Sequence, residues 1–289
     1  ERNGYAVTLL CRVLEVSASG YDAWRKRQPR RRQQEDERLG KLIRCVHAES
    51  RQRYGSPRIH AELQAQGIRC GRKRVARLMR QAGLRGKCKG RRRVCTTESK
   101  HKLPVAENVL QQDFTAEQPN TKWVADITYI PTDEGWLYLA VVMDVFSRKV
   151  VGWAMDASMT SQLVERALDA ALITRQPPPG LLHHSDRGSQ YASHDYQARL
   201  QAVQAQVSMS RSGNCYDNAL MESFWATLKT ELVEEQPFAS HAAARCDILL
   251  YIEGFYNLRR RHSALGYLSP VEFERRHLRT LSAPKAVGA

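Results

Sequence analysis

The sequence predicts an α/β protein in which a basic, all-helical region precedes a domain of mixed strands and helices. Residues 1–102 contain 28 Lys and Arg against 9 Asp and Glu, and their apolar side chains recur at helical spacing. Beyond residue 118 the pattern changes to apolar runs of strand length, separated by turn residues and helix-like segments. The rest of the chain holds 17 Lys and Arg against 21 Asp and Glu, so the positive charge is concentrated in the first third.

The composition limits the classes of protein to which this chain can belong. A chain of 289 residues with 42% hydrophobic content is long enough for two or three domains with real cores. It contains no run of 18 apolar residues and no signal-peptide pattern, so no membrane span is expected. The seven Cys form no CxxC pair, which favours reduced thiols in the cytoplasm. The net charge of +15 favours a nucleic-acid partner, although a solvated basic tail or a membrane-surface patch would give the same count.

The sequence predicts a series of short helices in the basic region. Apolar spacing predicts helices over residues 6–14, 21–27 and 36–49, and the second is expected to bury Tyr21 and Trp24. Two more helices follow, one from an N-cap at Ser56 with Pro57 at its first position, and one over residues 72–82 that ends before Gly83.

The last of these helices resembles the recognition helix of a helix-turn-helix. Its inward face carries Val75, Leu78 and Met79, and its opposite face carries a basic stripe of Lys73, Arg77 and Arg80. A plain helical hairpin with a solvated basic face is the alternative. Residues 86–104 have no apolar period, and their Arg91, Arg92 and Arg93 indicate a basic linker that lies along DNA.

The second domain is predicted to begin with three antiparallel strands and to continue with alternating helices and strands. The predicted strands cover residues 123–130, 137–145, 149–155, 181–184 and 207–209, and the helices between them cover 160–174 and 193–204. The second strand is mostly apolar and is therefore expected to be central. This order is that of a ribonuclease H-like fold, which by itself does not give a function.

Three carboxylates stand out in this domain. Asp126 lies inside an apolar strand, Asp186 ends a strand, and Glu222 follows 36 residues later on a helix from about Asn218. Magnesium takes oxygen ligands, and a pair of ions activates both the attacking and the leaving oxygen of a phosphodiester. The alternatives are structural: an Asp held by a salt bridge or by backbone N–H groups, a turn or helix cap, and a surface helix acid.

Other polar residues near these acids are given structural roles. Asp144 and Asp156 fit hairpin ends better than ligand positions, and His183 and His184 are assigned to packing and orientation because magnesium prefers oxygen. The helix that carries Glu222 is expected to bury a stripe of Leu220, Phe224 and Leu228, and to leave Glu222, Ala226 and Lys229 on its other side. A long helix over residues 240–259 and a basic end that includes Arg261 are interpreted as a cap on the core that touches DNA.

Several short sequence motifs resemble those of a known family. They are Trp123-Val-Ala-Asp126-Ile-Thr-Tyr129, His184-Ser-Asp186-Arg-Gly-Ser-Gln-Tyr191, Ser212-Gly-Asn-Cys-Tyr-Asp217-Asn-Ala219, Glu222-Ser-Phe-Trp225, and Tyr256-Asn257 followed by Arg261-His262. The pattern resembles the D-D-(35)-E core of retroviral-integrase-like transposases, and more closely the longer-frame product of the bacterial insertion-sequence-three family. The motifs occur in the same order as in the family, and they extend over nearly the whole chain.

The resemblance implies a DDE transposase that cleaves the ends of its element and then transfers the strands. It implies Asp126, Asp186 and Glu222 as catalytic ligands of two Mg²⁺ ions, for which Mn²⁺ can substitute, and Lys229 as a phosphate contact. The implied partners are double-stranded DNA at the terminal inverted repeats and at the target, further copies of the chain, and an upstream fused segment with its own helix-turn-helix and zipper. The implied location is the bacterial cytoplasm, at the nucleoid.

The expected domains follow from these predictions. They are a helical segment (1–34), a helix-turn-helix-like domain (35–85), a basic linker (86–117), a ribonuclease H-like catalytic core (118–235), a helical extension (236–280) and a tail (281–289). Two other functions stay open at this point. A DNA-binding regulator with a dead core would be free to lose one of the three acids, and a simple metal nuclease would not need the basic first third.

Overall fold

The computed structural model describes residues 6–26, 28, 30–87, 103–212, 214–233 and 237–282. The chain divides into two compact units, Glu1–Gly86 and Lys87–Ala289. The basic triplet at positions 91–93 and most of the predicted tail lie outside the described residues. Within the described part, no helix is both long enough and apolar enough to cross a membrane.

The first unit is all-helical, as predicted. Its helices are α1 (Val7–Val13), α2 (Ala18–Lys26), α3 (Arg31–Glu49), α4 (Ser56–Ala65) and α5 (Arg72–Gln81). The inward side chains of α3, α4 and α5 form its core, and Ile43, Ile59, Leu63 and Val75 are almost fully buried. Because α5 buries Val75 and Met79, Lys73 and Arg80 are left exposed on its other side, as is typical of an amphipathic helix.

Two local predictions in this unit were wrong. Trp24 is 68% exposed rather than buried, because its helix places no side chain in a core among the described residues. The N-cap of α4 is Gly55, in an extended conformation. Ser56 and Pro57 are therefore the first two residues of the helix, and not its N-cap and first residue as predicted. Gly67, with a φ of 78°, follows the end of α4 and allows the chain to turn.

The second unit is built on a five-stranded sheet with the order β3-β2-β1-β4-β5. The strands are β1 (Lys122–Thr132), β2 (Gly135–Asp144), β3 (Val150–Asp156), β4 (Leu182–Ser185) and β5 (Gln206–Met209). The first three pair antiparallel, and β4 joins β1 and β5 in parallel. This mixed sheet with helices on both faces confirms the predicted ribonuclease H-like core.

Helices cover both faces of the sheet, which explains the apolar run of β2. One face packs α6 (Ser161–Arg175) and α7 (His194–Ala202), and the other packs α8 (Ala219–Glu231) and α9 (His241–Leu249). Alternate residues of β2 therefore enter different cores: Leu139 and Val141 lie with α8, whereas Ala140 and Val142 lie with α6. Leu220, Phe224 and Leu228 form the buried stripe of α8, as predicted.

The C-terminal part caps the α8 side of the core but is not one long helix. The helix predicted over 240–259 is helical from His241 to Tyr256 but is not one α-helix, because α9 ends at Leu249 and a π-helical segment, Leu250–Tyr256, follows directly. The wider turn carries Tyr251, Ile252 and Tyr256 into the core beside α8. The last described helix is α10 (Pro270–Ser282).

Candidate active site

The sheet brings the first two acids together from two neighbouring strands. In the parallel ladder of β1 and β4, Trp123 pairs with His183 and Val124 with His184. Asp126 and Asp186 each follow the last of these pairs by two residues, so Asp126 lies within β1 at the level where the chain leaves the end of β4 at Asp186. Parallel strands place such residues side by side, which is why a separation of 60 residues in sequence becomes proximity in the fold.

The third acid comes from α8, which two hydrogen bonds attach to β1. The Asn218 Nδ2 donates to the Ala125 carbonyl oxygen at 3.2 Å, and the Trp225 Nε1 donates to Asp126 Oδ2 at 2.8 Å. Glu222 lies between these two anchors, in the first turn of the helix, and its side chain is exposed. The helix therefore presents Glu222 beside the strand that carries Asp126.

The negative charges of Asp186 and Glu222 both act on Asp126. Burial raises the pKa of Asp126 to about 8, and the negative charge of Asp186 adds to the rise, while the charge of Glu222 contributes a smaller part. The donated hydrogen bonds from Trp225 and from the Ile127 backbone N–H lower that pKa and so oppose the effect. A divalent cation would relieve this repulsion, and three carboxylates are the donors that Mg²⁺ prefers.

The residues present therefore fit a magnesium ion by donor chemistry and by charge. They do not form a closed coordination shell: among the described residues, no group of three His, Cys, Asp or Glu side chains stands ready to hold a metal ion. The fit rests on the oxygen donors and on the electrostatic coupling of Asp126 to the other two acids.

Asp186 is oriented by the loop that follows it. Its Oδ1 accepts from the Gly188 N–H at 2.9 Å. A Cβ at Gly188 would lie 3.0 Å from the same oxygen, so glycine keeps this approach open. Tyr191 packs beneath the site with 1% of its surface exposed, and burial, followed by the charges of Tyr196 and of the two aspartates, raises the pKa of its hydroxyl.

The two histidines before Asp186 have the packing and orientation roles predicted for them. The two ring nitrogens of His184 bond the hydroxyls of Ser208 and Ser210, at 2.8 and 3.1 Å. The Nε2 of His183 bonds the Tyr196 hydroxyl at 3.0 Å. Burial lowers the pKa of His184 to about 4 and that of His183 to about 3, so both rings are neutral near pH 7.

The other acids of the core are held by protein groups. Asp144 is fully buried and accepts from the backbone N–H groups of Asn120 and Ser147 at the end of a hairpin, as predicted. Asp156 forms an ion pair with Arg166. Sequence reasoning did not single out Asp217, which is fully buried and fixes the loop before α8 by bonds from Arg211, Gln112 and Asn214.

The residues predicted to contact DNA differ in their surroundings. Lys73 and Arg80 are exposed on α5, whereas the Arg77 Nη2 donates to Asp36 at 2.6 Å. The Lys229 Nζ lies 4.7 Å from the centre of the Tyr129 ring, and burial lowers the pKa of this amine while the charge of Asp126 opposes that shift.

Arg261 is almost fully buried. It donates to the Tyr267 carbonyl oxygen at 3.3 Å and to Glu272 at 3.0 Å. Its surroundings therefore favour a role in holding the C-terminal cap, and the prediction that it contacts DNA gains no support from its position.

Comparison with known proteins places the chain in a family. Residues 116–215 and 203–270 match two models described as an integrase core domain, and residues 34–92 match a helix-turn-helix-like domain. The transposase InsF of insertion sequence IS3A from Escherichia coli K12 is 46% identical over 276 residues, covering 95% of this chain and 96% of that protein. The chain belongs to the IS3 family of transposases. The predicted family is thereby confirmed.

Two further similarities accompany this result. An uncharacterized 31 kDa protein of insertion element IS600 from Shigella sonnei is 48% identical over 269 residues, covering 93% of this chain and 98% of that protein. The magnesium complex of the HTLV-2 integrase catalytic core domain aligns with 55% of this chain and 99% of its own, at 17% identity and a TM-score of 0.43. At that TM-score the structural likeness carries no part of the assignment, which rests on the sequence relatives and the family models.

Proposed function

We propose that this chain cleaves the ends of its insertion sequence and transfers the cut strands into target DNA. The observation that supports this most directly is geometric: Trp225, one turn after Glu222 on α8, donates to Asp126 at 2.8 Å, and the parallel ladder of β1 and β4 runs toward both Asp126 and Asp186. Asp156, at the end of β3, has a cation beside it instead, because Arg166 forms an ion pair with it. The negative charges of two other candidate ligands, Asp186 and Glu222, act on Asp126, and such a group favours a counter-ion.

In this proposal Asp126 and Asp186 hold one Mg²⁺, and Asp126 and Glu222 hold a second, with Mn²⁺ as a substitute. When bound, the ions supply activation of a water or a DNA 3′-hydroxyl for in-line attack on phosphorus, and charge stabilisation of the departing 3′-oxygen. The chain's own residues orient the acids. Asp126 receives two hydrogen bonds, Asp186 receives one from Gly188, and α8 presents Glu222.

DNA binding is divided between the two units in this account. Lys73 and Arg80 on α5 are exposed and meet the phosphate backbone of the terminal inverted repeats. Lys229 lies within the field of Asp126 and contacts a phosphate near the reacting bond. The sequence prediction that Arg91, Arg92 and Arg93 contact DNA is kept in this proposal, and several copies of the chain assemble on the two element ends and the target.

The experiment is strand cleavage and joining on a labelled element-end duplex in Mg²⁺ or Mn²⁺. The full chain is compared with Glu222→Gln, which removes one charge but keeps the side-chain shape, and with Glu117→Gln as a control at another exposed glutamate. We expect Glu222→Gln to lose both reactions and to bind the duplex as before, and Glu117→Gln to behave as the unaltered chain.

Two results would contradict the proposal. Equal cleavage by the unaltered chain and by Glu222→Gln would remove Glu222 from the site. Duplex binding without cleavage by the unaltered chain, also after addition of the upstream fused segment, would favour a DNA-binding regulator instead.

A further inference from the structure

The indole of Trp225 is a buried donor directed at the first acid of the candidate site. Its Nε1 lies 2.8 Å from Asp126 Oδ2, and only 7% of the Trp225 surface is exposed. The residue stands three positions after Glu222, on the same helix. One hydrogen bond thus connects the strand that carries Asp126 with the helix that carries Glu222.

The bond completes the orientation of the Asp126 carboxylate. Its other oxygen, Oδ1, accepts from the Ile127 N–H at 2.9 Å, so each oxygen has one fixed donor. A carboxylate oxygen has two lone-pair sites, and one on each oxygen is left for a cation. Donors at both oxygens fix the plane of the group, as hydrogen-bond partners of metal-binding side chains commonly do.

An ordinary core tryptophan does not require this arrangement. In the same sheet, the Trp153 Nε1 of β3, two strands from β1, donates to Glu253 at 2.8 Å, and Glu253 is not one of the three acids. The buried Trp123 Nε1 has no hydrogen-bond partner among the described residues. The fold therefore tolerates an unpaired indole N–H, so pairing alone does not explain why Trp225 faces the acid shared by both proposed ions.

We propose that Trp225 is a positioning residue of the metal site, whose indole N–H sets the orientation of Asp126 and the distance of Glu222 from it. The inference rests on the proposed function, since it gives the acids a metal to hold. It concerns a hydrogen bond and not the aromatic ring. Removal of the N–H alone, with the ring volume kept, is therefore expected to weaken divalent-cation binding.

The test compares Trp225→Phe with Trp153→Phe, a matched control that loses an indole-to-carboxylate bond elsewhere in the sheet. The affinity of the full chain for Mn²⁺ is measured by electron paramagnetic resonance, and the Mn²⁺ dependence of strand cleavage is measured in parallel. We expect Trp225→Phe to raise the Kd for Mn²⁺ by about tenfold or more, as loss of a partner to a metal-binding side chain typically does. Cleavage should recover at high Mn²⁺, and Trp153→Phe should leave the Kd unchanged.

A second variant separates the N–H from packing. Benzothienylalanine at position 225 keeps the bicyclic shape and replaces the N–H by sulfur, so it should show the same loss of Mn²⁺ affinity with an unchanged unfolding midpoint. Mn²⁺ affinity equal to that of the unaltered chain in this variant would overturn the inference and leave the proposed function standing. Failure of the unaltered chain to bind Mn²⁺, or to cleave also after addition of the upstream fused segment, would contradict the proposed function itself.

Discussion

At the residue scale, a buried histidine that hydrogen-bonds inside the protein holds the strand end that leads to Asp186. This histidine, His184, lies two residues before Asp186 and bonds two serine hydroxyls across to β5 and the residue that follows it. A neutral imidazole can accept at one nitrogen and donate at the other, whereas the charged ring can only donate. The end of β4, and with it Asp186, is thus held by a group whose protonation would disturb its bonds.

This gives a prediction for stability against pH. An unfolded histidine has a pKa near 6.5, whereas burial lowers the pKa of folded His184 to about 4. Between those values the unfolded chain binds a proton that the folded chain does not. The contribution of neutral His184 to the free energy of unfolding should therefore be complete above pH 6.5 and should decrease as the pH drops toward 4.

The measurement is denaturant unfolding from pH 7 to pH 4.5. His184→Gln should be less stable at pH 7, because it loses buried hydrogen bonds, but its stability should fall less with acid. His194→Gln serves as the control, since that side chain is 96% exposed. A pH dependence of His184→Gln as steep as that of the unaltered chain would show that other groups govern acid unfolding.

At the element scale, the close packing of α6 on β3 fixes one side of the sheet. A Cβ at Gly152 would lie 2.2 Å from the Ala167 carbonyl oxygen and 2.7 Å from the Ala171 Cβ, so only glycine fits between strand and helix. Gly152→Ala should lower the free energy of unfolding by about 1–3 kcal/mol, because the helix must shift away. Gly254→Ala is the control, as its added Cβ meets nothing within 4 Å. Equal stability of the two variants would contradict this packing.

Most elements were predictable because their apolar periods match the surfaces they cover. The apolar run of β2 indicated a central strand, and the spacing of Leu220, Phe224 and Leu228 gave the buried side of α8. The π-helical segment after Leu249 was not predictable, since its apolar residues fit an ordinary helix equally well.

The candidate site could be predicted only in part. The sequence motifs predicted the three acids, but they did not predict the hydrogen-bond donors that orient them. The bond from Trp225 to Asp126 spans 99 residues, and in the sequence the tryptophan looks like any apolar residue of a helix. The buried state of Arg261 also depends on partners, Tyr267 and Glu272, that only the fold brings near it.

At the scale of the whole molecule, the excess positive charge lies in the region predicted to bind DNA and not in the region that carries the three acids. The first 102 residues carry the excess of Lys and Arg, and the remainder is slightly acidic. Each phosphate contact releases about 0.9 counter-ion from double-stranded DNA, so affinity should fall steeply with salt. Lys73→Gln and Arg80→Gln should each lower the slope of log affinity against log salt by about 0.9, measured on the element-end duplex.

The matched control is Lys41→Gln, which removes an exposed lysine from α3 instead of α5. Its salt slope should equal that of the unaltered chain. Slopes unchanged in the two α5 variants would mean that this helix does not meet the phosphate backbone.

The most direct test of the central claim asks whether Asp186 contacts the metal. Asp186→Cys replaces a carboxylate with a thiolate, which binds Mg²⁺ poorly but accepts softer ions. Strand cleavage is measured in Mg²⁺ and in Mn²⁺, with Asp186→Ser as the control. The account predicts that Asp186→Cys is inactive in Mg²⁺ and regains cleavage in Mn²⁺, whereas Asp186→Ser regains none. Full activity of Asp186→Cys in Mg²⁺, or the same response of both variants to Mn²⁺, would contradict a metal site built on Asp126, Asp186 and Glu222.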